Sequence, residues 1–352
     1  MKTKAKAGKT RKARDRVRIL FFSDAHSKYT GPIPDWNRVD SSGMTEELRR
    51  FTNSMAFMRG LVEKRKPTLV VFLGDLYHSI YSIDVPTLVH TQRAWDELYD
   101  SVKKAGSELW AVRGNHDAHA ADISAVEIVR CDRLFTAPEG VTVEFLKVGV
   151  VPYRDPENLM YVTIKDMMED YDLIFTHCSF IGARRDAQHI SDSGFSLGDV
   201  TRQVFNGHYH IPQELCGGLL QCVGSVYQNL PNEQSVYIPH GALEWNEDGK
   251  ITRHTNTYVK RIAVVRGMPD GLGEPGSVFV KAIVDDSQYD SVKSFLEENR
   301  YEHMMVRVPK VDRSRRVIKF ESASPQRMIV EYIKANYPHL QETVKEVTGY
   351  GV

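Results

Sequence analysis

The sequence has few cysteines and no long hydrophobic run. Only four cysteines occur in 352 residues and none lies in a CxxC pair, which argues against a disulfide framework and against a thiolate metal site. No stretch approaches the roughly 18 consecutive apolar residues of a membrane-spanning helix. The first apolar run, 17–22, contains Arg18 and is too short for a secretory signal. These absences predict a protein of the reducing cytoplasm with no role in the membrane.

A net charge is absent as well, but the charges are unevenly placed. The chain has 46 Lys and Arg against 46 Asp and Glu. Residues 1–16 hold eight of the basic side chains and a single acid, Asp15, so this segment carries +7 and the rest of the chain −7. Because it has no apolar residue larger than Ala after Met1, the segment is predicted to be a disordered basic arm; a solubilising or expression-derived tail is the alternative.

Strands and helices alternate in the first part of the chain. Predicted strands 17–22, 69–73 and 109–112 are separated by the amphipathic segments 44–64 and 86–104. The pattern then becomes mostly β, with few helices. This order predicts an α/β (α+β) fold in which two mixed β-sheets face each other, with helices on the outside.

A stretch rich in Gly and Pro separates the last part of the chain from the rest. Beyond it the pattern predicts a β-α-β unit, which ends near residue 308, and two terminal helices, 326–336 and 341–347. The predicted regions are the basic tail 1–16, a main domain 17–267, a linker 268–277 and a small α+β region 278–352.

Polar clusters follow five of the predicted strands, directly where each strand ends. The clusters are Asp24-Ala25-His26, Gly74-Asp75, Gly114-Asn115-His116-Asp117, His177 and Gly207-His208-Tyr209-His210. Ligand sites in layered α/β proteins gather at the carboxyl ends of strands, so we expect these clusters to meet. Gly74 and Gly207 would let the backbone turn tightly beside such a site.

The residue types in these clusters suit a pair of metal ions. Asp75 is predicted to bridge the two ions. The other ligands of one ion are predicted to be Asp24, His26 and His210. Those of the second ion are predicted to be Asn115, His177 and His208. Mixed carboxylate, imidazole and amide ligands favour Mn²⁺, Fe²⁺ or Zn²⁺ over Ca²⁺ or Mg²⁺. Two such ions roughly 3.5–4 Å apart can activate water and clamp a phosphoryl group.

The ordered set DxH, GD, GNHD, H and GHxH resembles the calcineurin-like metallophosphoesterase superfamily over roughly residues 17–265. The resemblance implies a four-layer sandwich of two sheets between helices. Within the superfamily, Gly74-Asp75-Leu76-Tyr77-His78 resembles the SbcD-type DNA repair nucleases, and Gly224-Ser225-Val226-Tyr227-Gln228 resembles a strand of that family. The order of elements after residue 277 resembles the capping region of the phage recombination endonuclease subunit.

Catalytic and substrate-binding roles can be assigned beside the metal ligands. His116 is the candidate proton donor to the leaving oxygen. Asp117 is predicted either to orient His116 by a hydrogen bond or to cap the turn. The nuclease resemblance links His78 to exonuclease chemistry near the metals; a satisfied loop histidine is the alternative. Candidate DNA contacts, each with a solvated surface loop as the alternative, are Lys28, Tyr29, Arg184 and Arg185.

Three functions are compatible with these patterns. The leading one is an Mn²⁺-dependent DNA exonuclease and endonuclease of DNA repair or phage recombination, in a bacterial or phage-infected cytoplasm. For it the resemblance implies an SbcC-like coiled-coil ATPase partner and a homodimer. The second is another phosphoesterase, such as a nucleotide phosphodiesterase or protein phosphatase, for which the last 75 or so residues would be superfluous. The third is a non-catalytic scaffold, which the presence of all seven ligands and His116 disfavours.

Overall fold

A computed structural model describes residues 17–308, apart from 32, 121, 122, 187 and 230–237. The predicted basic arm at 1–16 and the predicted terminal helices at 326–336 and 341–347 lie outside these residues. No helix in the described part of the chain combines the length and the apolar composition needed to cross a membrane.

The described chain contains four α-helices and seventeen strands. The helices are α1 (Glu46–Arg65), α2 (Val85–Lys104), α3 (Asn158–Asp170) and α4 (Tyr289–Glu298). The strands are β1 (Arg18–Phe22), β2 (Leu69–Phe72), β3 (Glu108–Val112), β4 (Ala118–Ala120), β5 (Ile123–Ser124), β6 (Arg133–Phe135), β7 (Glu139–Val143), β8 (Leu146–Val151), β9 (Leu173–Thr176), β10 (Gln203–Asn206), β11 (Gln213–Leu215), β12 (Leu220–Cys222), β13 (Gly241–Asn246), β14 (Ile251–Thr255), β15 (Arg261–Val265), β16 (Val278–Val284) and β17 (Glu302–Arg307).

Two six-stranded sheets form the body of the molecule. Their strand orders are β14-β13-β1-β2-β3-β6 and β11-β12-β10-β9-β8-β7. In each sheet four neighbouring strands are parallel, β1-β2-β3-β6 in the first and β12-β10-β9-β8 in the second. Antiparallel strands complete both sheets. The predicted fold class, two facing mixed sheets flanked by helices, is therefore confirmed.

Apolar side chains on both faces of the central strands create the layers. Phe21 of β1 stacks on Phe205 of β10 with ring centroids 4.1 Å apart, in the core between the sheets. Phe22, the next residue, points the other way and contacts Trp95 of α2 in the core beneath α1 and α2. Helix α3 covers the outer face of the second sheet. Successive strand residues face opposite sides, so strands buried on both faces are apolar throughout.

Several elements of the body were not predicted from the sequence, among them α3 and β13. Helix α3 buries only one narrow stripe, formed by Met160, Ile164 and Met168. Strand β13 pairs with β1 and contains Glu244, a buried acid that breaks the apolar pattern expected of an inner strand. Glu244 is accommodated because both of its carboxylate oxygens accept hydrogen bonds of 2.7 Å from Arg65 at the end of α1.

A smaller sheet of three parallel strands, β15-β16-β17, follows the body. Helix α4 packs on it through Val292 and Leu296, which are fully buried against β16. The predicted β-α-β unit is thus β16-α4-β17. Strand β15 lies before the predicted linker and joins the small sheet, so this sheet spans the boundary predicted at residue 267, and the domain limits stay a prediction.

The small sheet contacts the body through an aromatic cluster and one buried cation. The rings of Trp36 and Phe279 meet edge to face at 4.7 Å, beside Ile262 of β15. The guanidinium of Arg50 in α1 lies 4.9 Å from the Trp36 ring and 4.9 Å from the Tyr227 ring. Such cation–π contacts are worth more when both groups are withdrawn from water.

Candidate metal centre

Parallel strands of both sheets deliver the five polar clusters to one edge. Strands β1, β2 and β3 are neighbours in the first sheet, and β9 and β10 are neighbours in the second. Each cluster begins within three residues of the end of its strand. The carboxyl ends of these strands meet above the core between the sheets, and the polar side chains meet there as predicted.

The first group of predicted ligands consists of Asp24, His26 and His210. One potential ligand atom from each lies within 4.8 Å of the others. The Nε2 atoms of His26 and His210 are 2.9 Å apart. The Nε2 atom of His26 also lies 3.6 Å from Oδ2 of Asp75.

The second group consists of Asn115, His177 and His208. The amide oxygen of Asn115 is 2.9 Å from Nε2 of His177 and 2.9 Å from Nδ1 of His208. The Nε2 atom of His177 is 3.4 Å from Oδ2 of Asp75. The same carboxylate oxygen therefore lies between the two groups, which is the position that the sequence predicts for a bridging ligand.

The chemistry of these groups fits two divalent cations. Asp24 is fully buried, and its Oδ1 atom has no hydrogen-bond partner. Its other oxygen accepts a 2.5 Å hydrogen bond from Ser23, which fixes the orientation of the carboxylate. A buried carboxylate oxygen without a partner is costly, and a cation would satisfy it together with the imidazole nitrogens beside it.

Outer partners orient several ligands by occupying their remaining atoms. Nδ1 of His177 contacts the carbonyl oxygen of Leu73 at 2.6 Å, and Nε2 of His208 contacts the hydroxyl of Ser179 at 3.2 Å. The Asn229 side chain donates to the backbone oxygen of Asp24 at 2.9 Å. Such contacts set the tautomer and direction of metal-ligating histidines. Ser23, Ser179 and Asn229 were not predicted as site residues, although Ser23 precedes the first motif and Asn229 follows the stretch 224–228.

Four of the seven predicted ligands have left-handed backbone angles. The φ values are 50° for Asp24, 40° for His26, 61° for Asp75 and 73° for His208. Asp and His tolerate this region better than most residues, but it is uncommon for any residue with a side chain. Strained backbone of this kind clusters at functional sites, where the surrounding structure holds it.

Mutual charge effects shift the pKa values of the buried ligands. Burial opposes the charged forms of Asp75 and His177, but their attraction prevails, so the pKa of Asp75 falls well below its usual range and that of His177 rises to about 9. Burial, reinforced by the charge of Asp75, raises the pKa of Asp24 to about 6. Burial and the charge of His177 lower the pKa of His208 to about 3. Metal binding must displace the proton of His177, so metal affinity should rise with pH.

His116 and His78 lie side by side next to the metal ligands. Their rings are nearly parallel, with centroids 5.8 Å apart, and both rings pack against His26. Nδ1 of His116 is 2.6 Å from the backbone oxygen of His78. Partial enclosure and the charge of Lys28 lower the pKa of His78 to about 4. His78 is therefore neutral near pH 7, and its backbone holds the ring of His116.

Asp117 has the second of its two predicted roles. Its carboxylate accepts hydrogen bonds from the backbone amides of Asp75, Leu76 and Gly114, at 2.7, 2.9 and 2.9 Å. It caps the turns that carry two of the motifs and does not contact the ring of His116. The prediction that Asp117 orients this ring is corrected: the backbone carbonyl of His78 does so.

The four candidate DNA contacts occupy different positions. Lys28 is buried close enough to His78 for its charge to lower the pKa of that ring, and Arg185 acts in the same way on His208. Arg184 is exposed, and its backbone pairs with the side chain of Gln213. The backbone oxygen of Tyr29 accepts a hydrogen bond from Thr45, the N-cap of α1. Lys28 and Arg185 thus flank the centre, while no described contact ties Arg184 or Tyr29 to it.

Glycine 207 allows the second sheet to approach the metal centre closely. A Cβ atom at this position would lie 2.7 Å from Nδ1 of His177 and 2.5 Å from the hydroxyl of Ser23, and closer still to the oxygen of Leu73. The first contact would push His177 off its hydrogen bond to Leu73. The packing of the metal centre therefore requires glycine at position 207.

Gly207→Ala is accordingly expected to lower the free energy of unfolding by about 1–3 kcal/mol, the usual cost of overpacking. It should also weaken metal binding about 10- to 100-fold, because the orienting partner of His177 is displaced. Thermal denaturation and metal titration measure both effects. Gly276→Ala is the matched control, since nothing lies within 4 Å of its Cβ position. Equal effects of the two substitutions would contradict the steric explanation.

One comparison with known proteins covers the part of the chain that holds the metal centre. A sequence profile described as calcineurin-like phosphoesterase matches residues 17–212, a span that contains all seven predicted ligands, His78 and His116. No curated protein sequence matches the chain. A dimetal phosphatase from Danio rerio is similar in structure, with 10% identity, coverage of 65% of this chain and 91% of that one, and a TM-score of 0.40. A protein of unknown function from Aquifex aeolicus has 16% identity, covers 54% and 89%, and has a TM-score of 0.30.

Proposed function

The chain belongs to the calcineurin-like phosphoesterase family, and on that premise we propose that it is a Mn²⁺-dependent phosphodiesterase that cleaves DNA. The metallophosphoesterase class follows from the family and from the ligand cluster. The proposal that the substrate is DNA rests chiefly on one observation, the pairing of His78 with His116 beside the first ligand group.

Paired histidines suit a phosphodiester better than a terminal phosphate. A diester carries a substituent on each side of the phosphorus, and the leaving alkoxide needs a proton. One imidazole beside the ligands can supply that proton, and a second, neutral imidazole can contact the bridging ester oxygen or the adjacent sugar. His116 and His78 offer these two functions from neighbouring loops.

Two divalent cations, held by the seven predicted ligands, would supply Lewis-acid activation of water and of the phosphoryl oxygens. The residues of the chain do the rest. The backbone oxygen of His78 accepts the Nδ1 proton of His116, which leaves Nε2 to carry the proton that the leaving oxygen receives. After that transfer His116 is neutral in the tautomer that the carbonyl favours. Asp117 keeps the two loops in register through its three amide contacts.

Positive charge on both sides of the centre supports an extended anionic substrate. Lys28 lies on the side of His78 and Arg185 on the side of His208. A phosphate chain lying across the centre would pass both. Phosphate contacts of this kind position a nucleic acid without reading its sequence. On the resemblance to SbcD-type nucleases we also propose a homodimer and an SbcC-like coiled-coil ATPase partner that binds within residues 278–352, with a role in DNA repair or phage recombination.

Purified protein with Mn²⁺ is expected to degrade linear DNA and to lose this activity completely when the metal is chelated, because the ligands alone cannot activate water. The assay compares double-stranded, single-stranded and hairpin DNA, with and without an ATPase partner, and includes bis(p-nitrophenyl) phosphate and a phosphopeptide. Re-addition of Mn²⁺ after chelation is the control and should restore activity. Hydrolysis of the small diester or the phosphopeptide without any DNA cleavage would replace the nuclease proposal by a nucleotide phosphodiesterase or a protein phosphatase.

A further inference from the structure

Two loops run outward together from the metal centre. One follows β2 and contains His78, and the other follows β3 and contains His116. Close to the centre, the ring of His116 contacts the backbone oxygen of His78 at 2.6 Å. Farther out, Nδ1 of His119 lies 3.3 Å from the backbone oxygen of Ile80. The contacts repeat, so residues 78–81 and 116–119 together form one surface, the ledge, which starts at the metal ligands.

The outer end of this ledge carries an exposed aromatic ring. Tyr81 is 83% exposed, the largest value among the large apolar side chains of the described residues. Its ring meets that of His119 edge to face, with centroids 6.0 Å apart. His119 is itself exposed. Tyr81 therefore contributes little buried surface to folding, and most of the residue is open to solvent.

Position separates Tyr81 from an ordinary exposed aromatic residue. It follows His78 by three residues, which limits the distance between their Cα atoms to about 11 Å. The contact with His119 restrains the ring, and His119 lies in β4, three residues beyond His116. A ring restrained in this way loses less freedom when a ligand stacks on it.

We infer that Tyr81 is a base-stacking platform for the nucleotide adjacent to the bond being cleaved. The inference rests on the proposed nuclease function. Base–aromatic stacking is worth about 1–3 kcal/mol per base and tolerates any sequence, because every base has a flat face. A base inside a duplex already stacks on both faces. Tyr81 therefore favours unpaired nucleotides, such as single strands and frayed or overhanging ends, and His119 acts as its positioning residue.

The test compares Tyr81→Ala, Tyr81→Phe and Tyr81→Trp in the full chain with Mn²⁺. The readout is kcat/KM on a single-stranded oligonucleotide and on a blunt duplex of the same sequence. Tyr81→Ala is expected to lower kcat/KM on the single strand about 5- to 150-fold, the range that the stacking free energy implies. The preference for single strand over duplex should fall with it. The two aromatic variants should stay near the wild-type values. If the hydroxyl group made the contact, both variants would lose activity instead.

Phe145→Ala is the matched control. Phe145 is 54% exposed and lies in the turn before β8, which is parallel to β9, so it is at the opposite end of the sheet from the metal centre. This variant should behave as the wild type on both DNA substrates. Single-strand cleavage by Tyr81→Ala within twofold of the wild type would overturn the inference and leave the nuclease proposal standing. A wild-type protein that hydrolyses bis(p-nitrophenyl) phosphate but no DNA would overturn both.

Discussion

His116→Gln is expected to lower kcat about 10²- to 10⁴-fold, the usual contribution of a general acid. Glutamine can still donate to the backbone oxygen of His78, which His116 contacts at 2.6 Å, but it cannot supply a proton to the leaving oxygen. The backbone amide of residue 116, which donates to Asp75 at 2.8 Å, is kept. Turnover of DNA, whose leaving alkoxide needs a proton, measures the loss, and elemental analysis measures the bound metal, which should stay unchanged.

His303→Gln is the matched control for this substitution. Nδ1 of His303 also contacts a backbone oxygen, that of Tyr301 at 2.9 Å, but the residue lies in the small sheet. Its replacement should leave both kcat and metal content at the wild-type level. Undiminished turnover in His116→Gln would remove His116 as the acid. Loss of metal in His116→Gln would instead indicate that His116 is a metal ligand, because a ring nitrogen of His116 lies within 4.8 Å of one of His26.

Asp75→Asn is expected to empty both metal positions and to reduce DNA cleavage below detection. Oδ2 of Asp75 lies 3.6 Å from Nε2 of His26 and 3.4 Å from Nε2 of His177, so one carboxylate serves both ligand groups. An amide has nearly the same shape, but it lacks the negative charge that the cations need and that raises the pKa of His177. Elemental analysis and Mn²⁺ titration measure the loss.

Asp166→Asn, on the exposed face of α3, is the control for the loss of one negative charge. It should keep its metal and its activity. If Asp75→Asn retained one full equivalent of metal, Asp75 would belong to a single metal position and would not bridge. Circular dichroism of both variants separates metal loss from unfolding.

The part of the site that lies next to the strands was predictable, because each motif is local. Residues such as Asp24 and His177 directly follow apolar runs, and the order of those runs fixed which ends would meet. The outer partners could not be predicted in this way. Ser179 and Asn229 come from loops far from the motifs they support, and the acceptor for His116 is a backbone carbonyl, which has no signature in a sequence.

The same distinction applies to the elements of the fold. Those encoded by local sequence were predicted, and those that depend on distant partners were not. Strands such as β2 and β3, which are apolar on both faces, were predicted nearly to the residue. Helix α3 was missed because its buried stripe is a single line of three side chains, one of them Ile164. Strand β13 was missed because Glu244 is satisfied by partners from other elements, chiefly Arg65 of α1, which is distant in the sequence. Contacts with residues distant in the sequence determine whether such elements form, and the local preference of the chain for helix or strand does not.

The left-handed backbone angles at four of the ligands lower the stability of the fold, although its metal-binding chemistry depends on those residues. Residues held in this region cost of order 1–3 kcal/mol each relative to relaxed backbone. Glycine would adopt the same angles without that cost but would bind no metal. Selection for folding alone would therefore tend to replace Asp24, His26, Asp75 and His208 by glycine. All four lie at one edge of the sheets, so the binding chemistry of that edge comes at the expense of a more stable protein.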